Sequence, residues 1–219
     1  MIAVIDYGAS NLRSVMHAMH HLAVDAHVAD QPDGLAGADA IILPGVGAFG
    51  AGMAEVRGRG FEAPLKAAVA AGTPLLGICL GMQFLFEVSD EMGDYTGLGL
   101  LPGRVTRFPA DRMGGLKVPH MGWNQLQPVR ESPLLAGLPD GAYTYFVHSY
   151  YCAPADAADV IATCDYGLDF TAVVGRDNVY GVQFHPEKSQ AVGLRILQNF
   201  VDMTAAHAGT PQTRQAARA

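Results

Sequence analysis

Short apolar runs alternate with amphipathic stretches over the first part of the chain. The runs that we interpret as strands cover residues 2–6, 24–29, 40–43 and 74–78. Residues 10–22 instead repeat apolar positions at helical spacing. Their apolar stripe consists of Leu12, Val15, Met16, Met19 and Leu22. Strands that alternate with helices are typical of a parallel sheet with crossover helices, so we expect an α/β fold.

The later part of the chain changes character, because strand-like segments there follow one another and most of them are separated only by short turns. These segments cover residues 103–107, 143–152, 158–164, 171–176 and 179–184. They indicate a partly antiparallel extension of the sheet. A final helix is predicted over residues 190–203. We therefore expect one domain over residues 1–204, followed by a flexible tail over residues 205–219 that has no apolar periodicity.

Residues 67–86 carry no charge and are long enough to suggest a membrane span. Gly72, Thr73 and Pro74 interrupt this stretch, so we predict the end of a helix, a central strand and a turn instead. With 219 residues, of which 50% are hydrophobic, the chain can bury the core of a single domain.

The net charge argues against nucleic-acid binding, and the pattern of histidines argues against a metal site. A formal net charge of -7 argues against a general nucleic-acid surface. His17, His20 and His21 have helical spacings that suit a metal, but no carboxylate or cysteine accompanies them in a ligand pattern. We interpret them as a solvated helix face, and we expect no metal and no organic cofactor.

The chain has three cysteines, an odd number that forms no paired framework. Cys152 and Cys164 lie in strand-like runs, and we expect both to be buried as small apolar side chains. The N-terminal residues lack a basic region ahead of a long apolar stretch, so a secretory signal is not expected. These features favour a cytoplasmic protein.

Cys79 is the first candidate for chemistry. It lies between an apolar strand-like run and a helical pattern that continues through Phe86, in the segment Gly77-Ile78-Cys79-Leu80-Gly81. The flanking glycines let the backbone bend sharply, and the following helix directs unpaired N–H groups toward the sulfur. This arrangement predicts a nucleophile elbow with Cys79 as the nucleophile.

His185 is the candidate base, at the end of the strand-like run 179–184. Pro186 favours an extended backbone at His185, and Glu187 is close enough to accept a hydrogen bond from the imidazole. Alone, His185 is better interpreted as a capping or core histidine. Together with the elbow it predicts a Cys-His-Glu triad.

The segment Pro44-Gly45-Val46-Gly47 follows a buried strand-like run. Glycines on both sides of Val46 let its N–H approach a substrate, so with the amide of Leu80 it can form an oxyanion hole. The alternative is an ordinary strand-to-loop turn.

Residues 44–47, 77–83 and 184–187, in that order, resemble the motifs of class I (triad-type) glutamine amidotransferases. The resemblance implies a flavodoxin-like open sheet with helices on both faces, and hydrolysis of glutamine through a cysteine thioester that releases ammonia. Cys79 is then the nucleophile, His185 the base and acid, and Glu187 the residue that orients the histidine. The substrate-binding positions implied are Val46, Gly47, Leu80, Gln83, His148, Ser149 and Tyr150. For Gln83, the alternative is a helix residue that faces solvent.

Residues 2–12, residues 119–124 and Lys188 further resemble the glutaminase subunits of imidazole glycerol phosphate synthases, in histidine biosynthesis. Only the first loop, residues 8–10, departs slightly from that pattern. The implied partner is a cyclase subunit, a (β/α)8 barrel that forms a heterodimer with the glutaminase and receives ammonia through a tunnel. The implied interface positions are Asn11, Met121, Trp123 and Lys188.

The resemblance also implies activity that stays low until the partner binds its ligand. A flip of the peptide at Val46 offers a physical route, since it can complete or remove an oxyanion donor. Trp123, the single tryptophan, lies in what we interpret as a Gly/Pro-flanked loop, where it suits an interface anchor. The alternative for Trp123 is a core aromatic.

Two other interpretations remain open. One is a glutaminase subunit of another synthase, for anthranilate, aminodeoxychorismate or pyridoxal phosphate, and the Trp123 segment and Lys188 argue against it. The other is a cysteine hydrolase or a non-catalytic scaffold on the same fold. A scaffold does not require Cys79, His185 and Glu187 together.

Overall fold

The computed structural model of the protein describes residues 1–109, 111 and 113–208. Its strands are β1 (Ile2–Ile5), β2 (Ala26–Ala29), β3 (Ala40–Gly45), β4 (Leu75–Cys79), β5 (Phe86–Ser89), β6 (Tyr95–Thr96), β7 (Leu101–Arg107), β8 (His120–Gln125), β9 (Gln127–Pro128), β10 (Tyr143–His148), β11 (Tyr150–Pro154), β12 (Val160–Asp165), β13 (Asp169–Arg176) and β14 (Val179–Val182). Its α-helices are α1 (Leu12–His21), α2 (Phe49–Gly58), α3 (Glu62–Ala70), α4 (Leu80–Phe84) and α5 (Gln190–Ala208).

The main sheet has a parallel part and an antiparallel part. Strands β2, β1, β3, β4 and β14 lie side by side in that order and are all parallel. The sheet then continues through β13, β11 and β7 with antiparallel pairing, and ends in β5 and β6. The predicted α/β fold with an open, mostly parallel sheet and a partly antiparallel extension is confirmed.

Helices cover both faces of the sheet. Strand β1 shows this, since its buried side chains alternate between two cores. Ile2 and Val4 belong to the core that includes α1 and α5. Ala3 and Ile5 belong to the core that includes α2, α3 and α4. A strand with apolar residues on both faces is the expected sequence for a sheet buried between two helical layers.

Two sequence predictions about element boundaries were wrong. The predicted strand over residues 143–152 is two strands, and the first of them, β10, leaves the main sheet to pair with β8 in a separate antiparallel ladder. The helix after Cys79 ends at Phe84, and Phe86 instead begins β5 and pairs with Leu101. Since residues 80–86 are buried throughout, no change of apolar periodicity marks where that helix ends.

The C-terminal helix α5 continues to Ala208, beyond its predicted end at residue 203. The predicted tail therefore begins inside this helix, and its residues 209–219 lie outside the described residues. Residues 67–84 form the end of α3, then β4 and α4, as predicted. Within the described part of the chain, no helix is long and apolar enough to cross a membrane.

The residues that we set aside as non-functional lie where expected. His17, His20 and His21 are exposed on α1. Cys152 and Cys164 are free, and both are buried in strands.

Candidate active site

Cys79 lies at the carboxyl end of β4, directly before α4, with φ 55° and ψ −109°. A positive φ is strained for any residue with a β-carbon, and such strain is commonly found at functional turns. A β-carbon on Gly81 would overlap the carbonyl oxygen of Leu43, and one on Gly77 would lie 2.6 Å from the carbonyl oxygen of Gly81. Only glycine therefore fits on either side of this turn.

Three neighbouring strands deliver the candidate groups to one edge of the sheet. Gly45, at the end of β3, pairs with Cys79, and Val182, at the end of β14, pairs with Ile78. The turn after β3, the thiol after β4 and His185 after β14 therefore meet at the carboxyl ends of parallel strands, where ligands bind in open α/β sheets.

His185 and Glu187 form a buried pair beside this edge. The Nδ1 atom of His185 lies 2.8 Å from Oε1 of Glu187, and the two side chains are 2% and 1% exposed. Asn11 donates a hydrogen bond from Nδ2 to the same carboxylate oxygen, at 2.9 Å. Glu187 thus fixes the Nδ1 side of the ring and leaves Nε2 for other chemistry.

The charges of the pair support each other. Burial on its own lowers the pKa of His185, but the adjacent Cys79 and Glu187 side chains outweigh it and raise that pKa to about 10. Burial likewise opposes ionisation of Glu187, yet the hydrogen bonds from His185 and Asn11 hold its pKa below the usual value. At neutral pH the pair is therefore an imidazolium and a carboxylate.

The Nε2 atom of His185 is buried and has no hydrogen-bond partner among the described residues. Gln183 donates from Nε2 to Sγ of Cys79 at 3.7 Å. Cys79 and His185 both face a cavity of about 330 Å³. A cavity of this size suits a small molecule.

The cavity brings together the sequence-predicted substrate positions. It is lined by Val46, Gly47, Cys79, Leu80, Gln83, Glu91, Pro119, Val147, His148, Ser149, Tyr150 and His185. Gln83 is buried, not solvent-facing, and donates from Nε2 to the carbonyl of Tyr150 and to Oε1 of Gln183, both at 3.1 Å.

His148 is a neutral wall of the cavity. Burial is the main cause that lowers its pKa, to about 3. Its Nδ1 lies 2.8 Å from the carbonyl oxygen of Tyr150, which can only accept, so Nδ1 carries the proton. Its Nε2 then accepts from Nδ1 of His120, at 3.1 Å. Both histidines are fixed by this chain of bonds.

The two predicted oxyanion donors differ in their present state. Leu80 is the first residue of α4, so its N–H has no partner within the helix. The N–H of Val46 donates to the carbonyl of Ala9, at 3.1 Å, so it is already paired within the protein. Val46 can act as an oxyanion donor only after its peptide has rotated.

None of the predicted interface residues lines the cavity. Met121 and Trp123 are 61% and 46% exposed, so Trp123 is not a core aromatic. Trp123 lies in β8 and not in a loop, because β8 pairs with β10 and places Trp123 opposite Tyr145. Lys188 lies 6.0 Å from the centre of the Tyr145 ring.

The model of the family "Glutamine amidotransferase class-I" matches residues 3–203. The protein is also 53% identical, over 93% of its own chain and 100% of the relative, to "Imidazole glycerol phosphate synthase subunit HisH" of Syntrophotalea carbinolica. The protein of the same name from Salinibacter ruber is 48% identical over 100% of this chain and 98% of the relative. The chain is a HisH-type member of the class-I glutamine amidotransferase family.

Solved structures agree on the fold of this glutamine amidotransferase. A structure described as "Crystal structure of glutamine amidotransferase" superimposes with a TM-score of 0.73 at 21% identity, over 94% of this chain and 100% of the other. PurLQS from Thermotoga maritima gives a TM-score of 0.70 at 20% identity, over 92% and 97% of the two chains.

Sequence reasoning missed two polar side chains at the site of this HisH-type protein. Glu91 lines the cavity, and its Oε2 accepts a hydrogen bond from the N–H of Phe49 at the start of α2, at 2.7 Å. Gln183 contacts both the thiol and Gln83. No motif marks Glu91, whereas the position of Gln183 two residues before His185 was a usable signal.

Proposed function

We propose that this protein is the glutaminase subunit of an imidazole glycerol phosphate synthase, which hydrolyses glutamine and supplies ammonia to a cyclase subunit for histidine biosynthesis. The observation that carries the proposal is that Cys79, whose backbone has a strained positive φ, and His185, which Glu187 holds, line one cavity. The HisH-type relatives give the synthase to which this chemistry belongs.

In the first half of the reaction, the sulfur of Cys79 attacks the side-chain amide carbon of glutamine. A carbon–sulfur bond forms, and the carbonyl electrons move to the oxygen, which the amide of Leu80 stabilises. Protonated His185 gives its Nε2 proton to the amide nitrogen, and the carbon–nitrogen bond breaks to release ammonia. The product is a thioester on Cys79.

In the second half, His185 accepts a proton from a water molecule that attacks the thioester carbon. The tetrahedral intermediate collapses with cleavage of the carbon–sulfur bond, which gives glutamate and restores the thiolate and the imidazolium. Glu187 keeps the ring in one orientation throughout, because it holds Nδ1 while Nε2 transfers protons.

The polar groups around the cavity suit the remaining parts of glutamine. Glu91 offers a carboxylate to the α-ammonium group, and its bond to the α2 backbone fixes its direction. Gly47, Ser149 and Tyr150 line the cavity, where they can position the rest of the glutamine molecule. Gln83 and His148 stabilise the wall, through their bonds to Tyr150.

The bond between Val46 and Ala9 supports the expected regulation. While Val46 donates to Ala9, the oxyanion hole has the Leu80 amide alone. We propose that the partner, when it holds its own ligand, favours the rotated peptide at Val46 and so raises the rate of hydrolysis.

An exposed face of the β8–β10 ladder suits the cyclase partner, a (β/α)8 barrel in a heterodimer with this chain. Met121, Trp123 and Tyr143 are 61%, 46% and 52% exposed on these two strands. A cluster of exposed large apolar side chains is typical of a protein–protein interface. Val147 of the same ladder lines the cavity, and we propose that ammonia leaves the cavity on this side. Asn11 and Lys188 are proposed as further interface positions, in a cytoplasmic complex.

The proposal is tested by glutamate release from glutamine, measured for the protein mixed with its cyclase subunit. Replacement Cys79→Ala is expected to abolish the release. The matched control is Cys164→Ala, which removes another buried thiol but one outside the cavity, and is expected to leave the release intact. Normal glutamate release by Cys79→Ala would refute the proposal.

A further inference from the structure

Tyr7 carries a buried hydroxyl that the reaction described above does not use. Its side chain is 0% exposed, and its ring packs edge-on against Phe84, with 5.8 Å between the ring centres. Its hydroxyl has no hydrogen-bond partner among the described residues. A buried polar group without a partner is uncommon and calls for an explanation.

The hydroxyl of Tyr7 lies against the peptide between Gly45 and Val46. A β-carbon built on Gly45 would be 2.5 Å from this oxygen. Burial, and then the nearby Cys79, raise the pKa of the Tyr7 phenol, while the backbone at Val46 acts in the opposite direction. The phenol is therefore next to the same amide that donates to Ala9.

Rotation of this peptide exchanges the positions of its two polar groups. When the N–H of Val46 leaves Ala9 and points into the cavity, the carbonyl of Gly45 must turn to the opposite side. The hydroxyl of Tyr7 lies beside the amide of Val46, so the turned carbonyl takes the place of an N–H group next to this hydroxyl. A buried carbonyl oxygen needs a hydrogen-bond donor in its new position after rotation. The phenol O–H of Tyr7 can supply that hydrogen bond.

We propose that Tyr7 is a positioning residue for the oxyanion hole: its hydroxyl donates to the Gly45 carbonyl in the rotated state and so stabilises the Val46 amide in the direction of the substrate. This inference rests on the proposed function, in which that amide holds the oxyanion. It gives the rotated state one hydrogen bond that the present state lacks. The two states of the turn therefore differ in the hydrogen bond between Tyr7 and Gly45, which removal of the Tyr7 hydroxyl abolishes.

The test is Tyr7→Phe, which removes the hydroxyl and keeps the ring. In the complex with the liganded cyclase subunit, kcat for glutamate release is expected to fall about fivefold, equivalent to about 1 kcal/mol for one neutral hydrogen bond. KM for glutamine is expected to stay unchanged, because the lost contact stabilises the oxyanion and not the bound substrate. The unfolding temperature of the isolated chain should be unchanged or higher, since an unsatisfied buried group has been removed.

The matched control is Tyr166→Phe, which removes a hydroxyl that donates to the carbonyl of Lys117, at 2.8 Å. This variant is expected to keep the wild-type kcat. An unchanged kcat for Tyr7→Phe would overturn the inference, and so would a fall in kcat that is matched by a lower unfolding temperature. A wild-type complex that releases no glutamate would instead refute the proposed function itself, so the two failures are distinguishable.

Discussion

At the scale of single residues, the charge state of the site depends on contacts between residues far apart in the chain. Glu187 holds a proton on His185, and Asn11 in turn holds Glu187 with a hydrogen bond at 2.9 Å. The resemblance implied Asn11 only as an interface position. If Asn11 also contacts the partner, it connects partner binding to glutamine hydrolysis. A displacement of Asn11 then changes its hydrogen bond to Glu187, and Glu187 holds His185.

Replacement Glu187→Gln is expected to shift the pH dependence of kcat/KM. The Glu187 carboxylate is one of the groups that raise the pKa of His185 to about 10, so its neutralisation lowers that pKa. The acid form of His185 is then lost at a lower pH, and the alkaline limb of the profile moves toward neutral pH. The measurement is kcat/KM for glutamine across the alkaline range.

A suitable control for this shift is Glu62→Gln, which neutralises a carboxylate bound to Lys66 on α3. Its alkaline limb is expected to coincide with that of the wild type. If the Glu187→Gln profile coincided with it as well, the carboxylate would have no influence on the charge of His185.

At the scale of elements, the turn between β4 and α4 depends on close approach of the backbone. Gly81→Ala places a methyl group against the carbonyl of Leu43, so we expect a loss of unfolding free energy of about 3 kcal/mol or more, together with loss of activity. Denaturant unfolding measures the first quantity. The control Gly58→Ala adds a methyl group at a helical position with nothing within 4 Å, and should stabilise the protein by up to about 1 kcal/mol.

The β8–β10 ladder makes a separate prediction about assembly. Trp123→Ala is expected to weaken binding of the cyclase subunit by about 2 kcal/mol, as is typical of an aromatic interface anchor. Since Trp123 is 46% exposed, the unfolding free energy of the isolated chain should change little. Titration calorimetry measures the binding. Val28→Ala on the edge strand β2 is the control, and equal affinities of the two variants would argue against this face as the interface.

Some elements can be predicted from the sequence and others cannot. An element is predictable when its pattern lies within one short segment of the chain. The turns after β3 and β4 and the end of β14 follow from glycine spacing and short apolar runs, so Cys79 and His185 could be placed at one sheet edge. The pairing of Trp123 with Tyr145 and the approach of Glu91 to the cavity depend on segments that only the folded chain brings together. No local pattern records either contact.

At the scale of the whole molecule, the site lies between the parallel sheet and an exposed apolar ladder. Ligand chemistry at the carboxyl ends of the strands follows from the parallel topology. The ladder adds a wall, through His148, and an outer surface, through Trp123. Under the proposed function, this arrangement places the site of ammonia release beside the surface that we propose for the cyclase subunit.

In the proposed function, Cys79 makes ammonia for an active site on a partner. The most direct measurement compares synthesis of imidazole glycerol phosphate from glutamine and from ammonium salts, in the complex of Cys79→Ala with the cyclase subunit. We expect the glutamine-dependent synthesis to be lost while the ammonia-dependent synthesis equals that of the wild-type complex. Glutamine-dependent synthesis at the wild-type rate by the Cys79→Ala complex would contradict it.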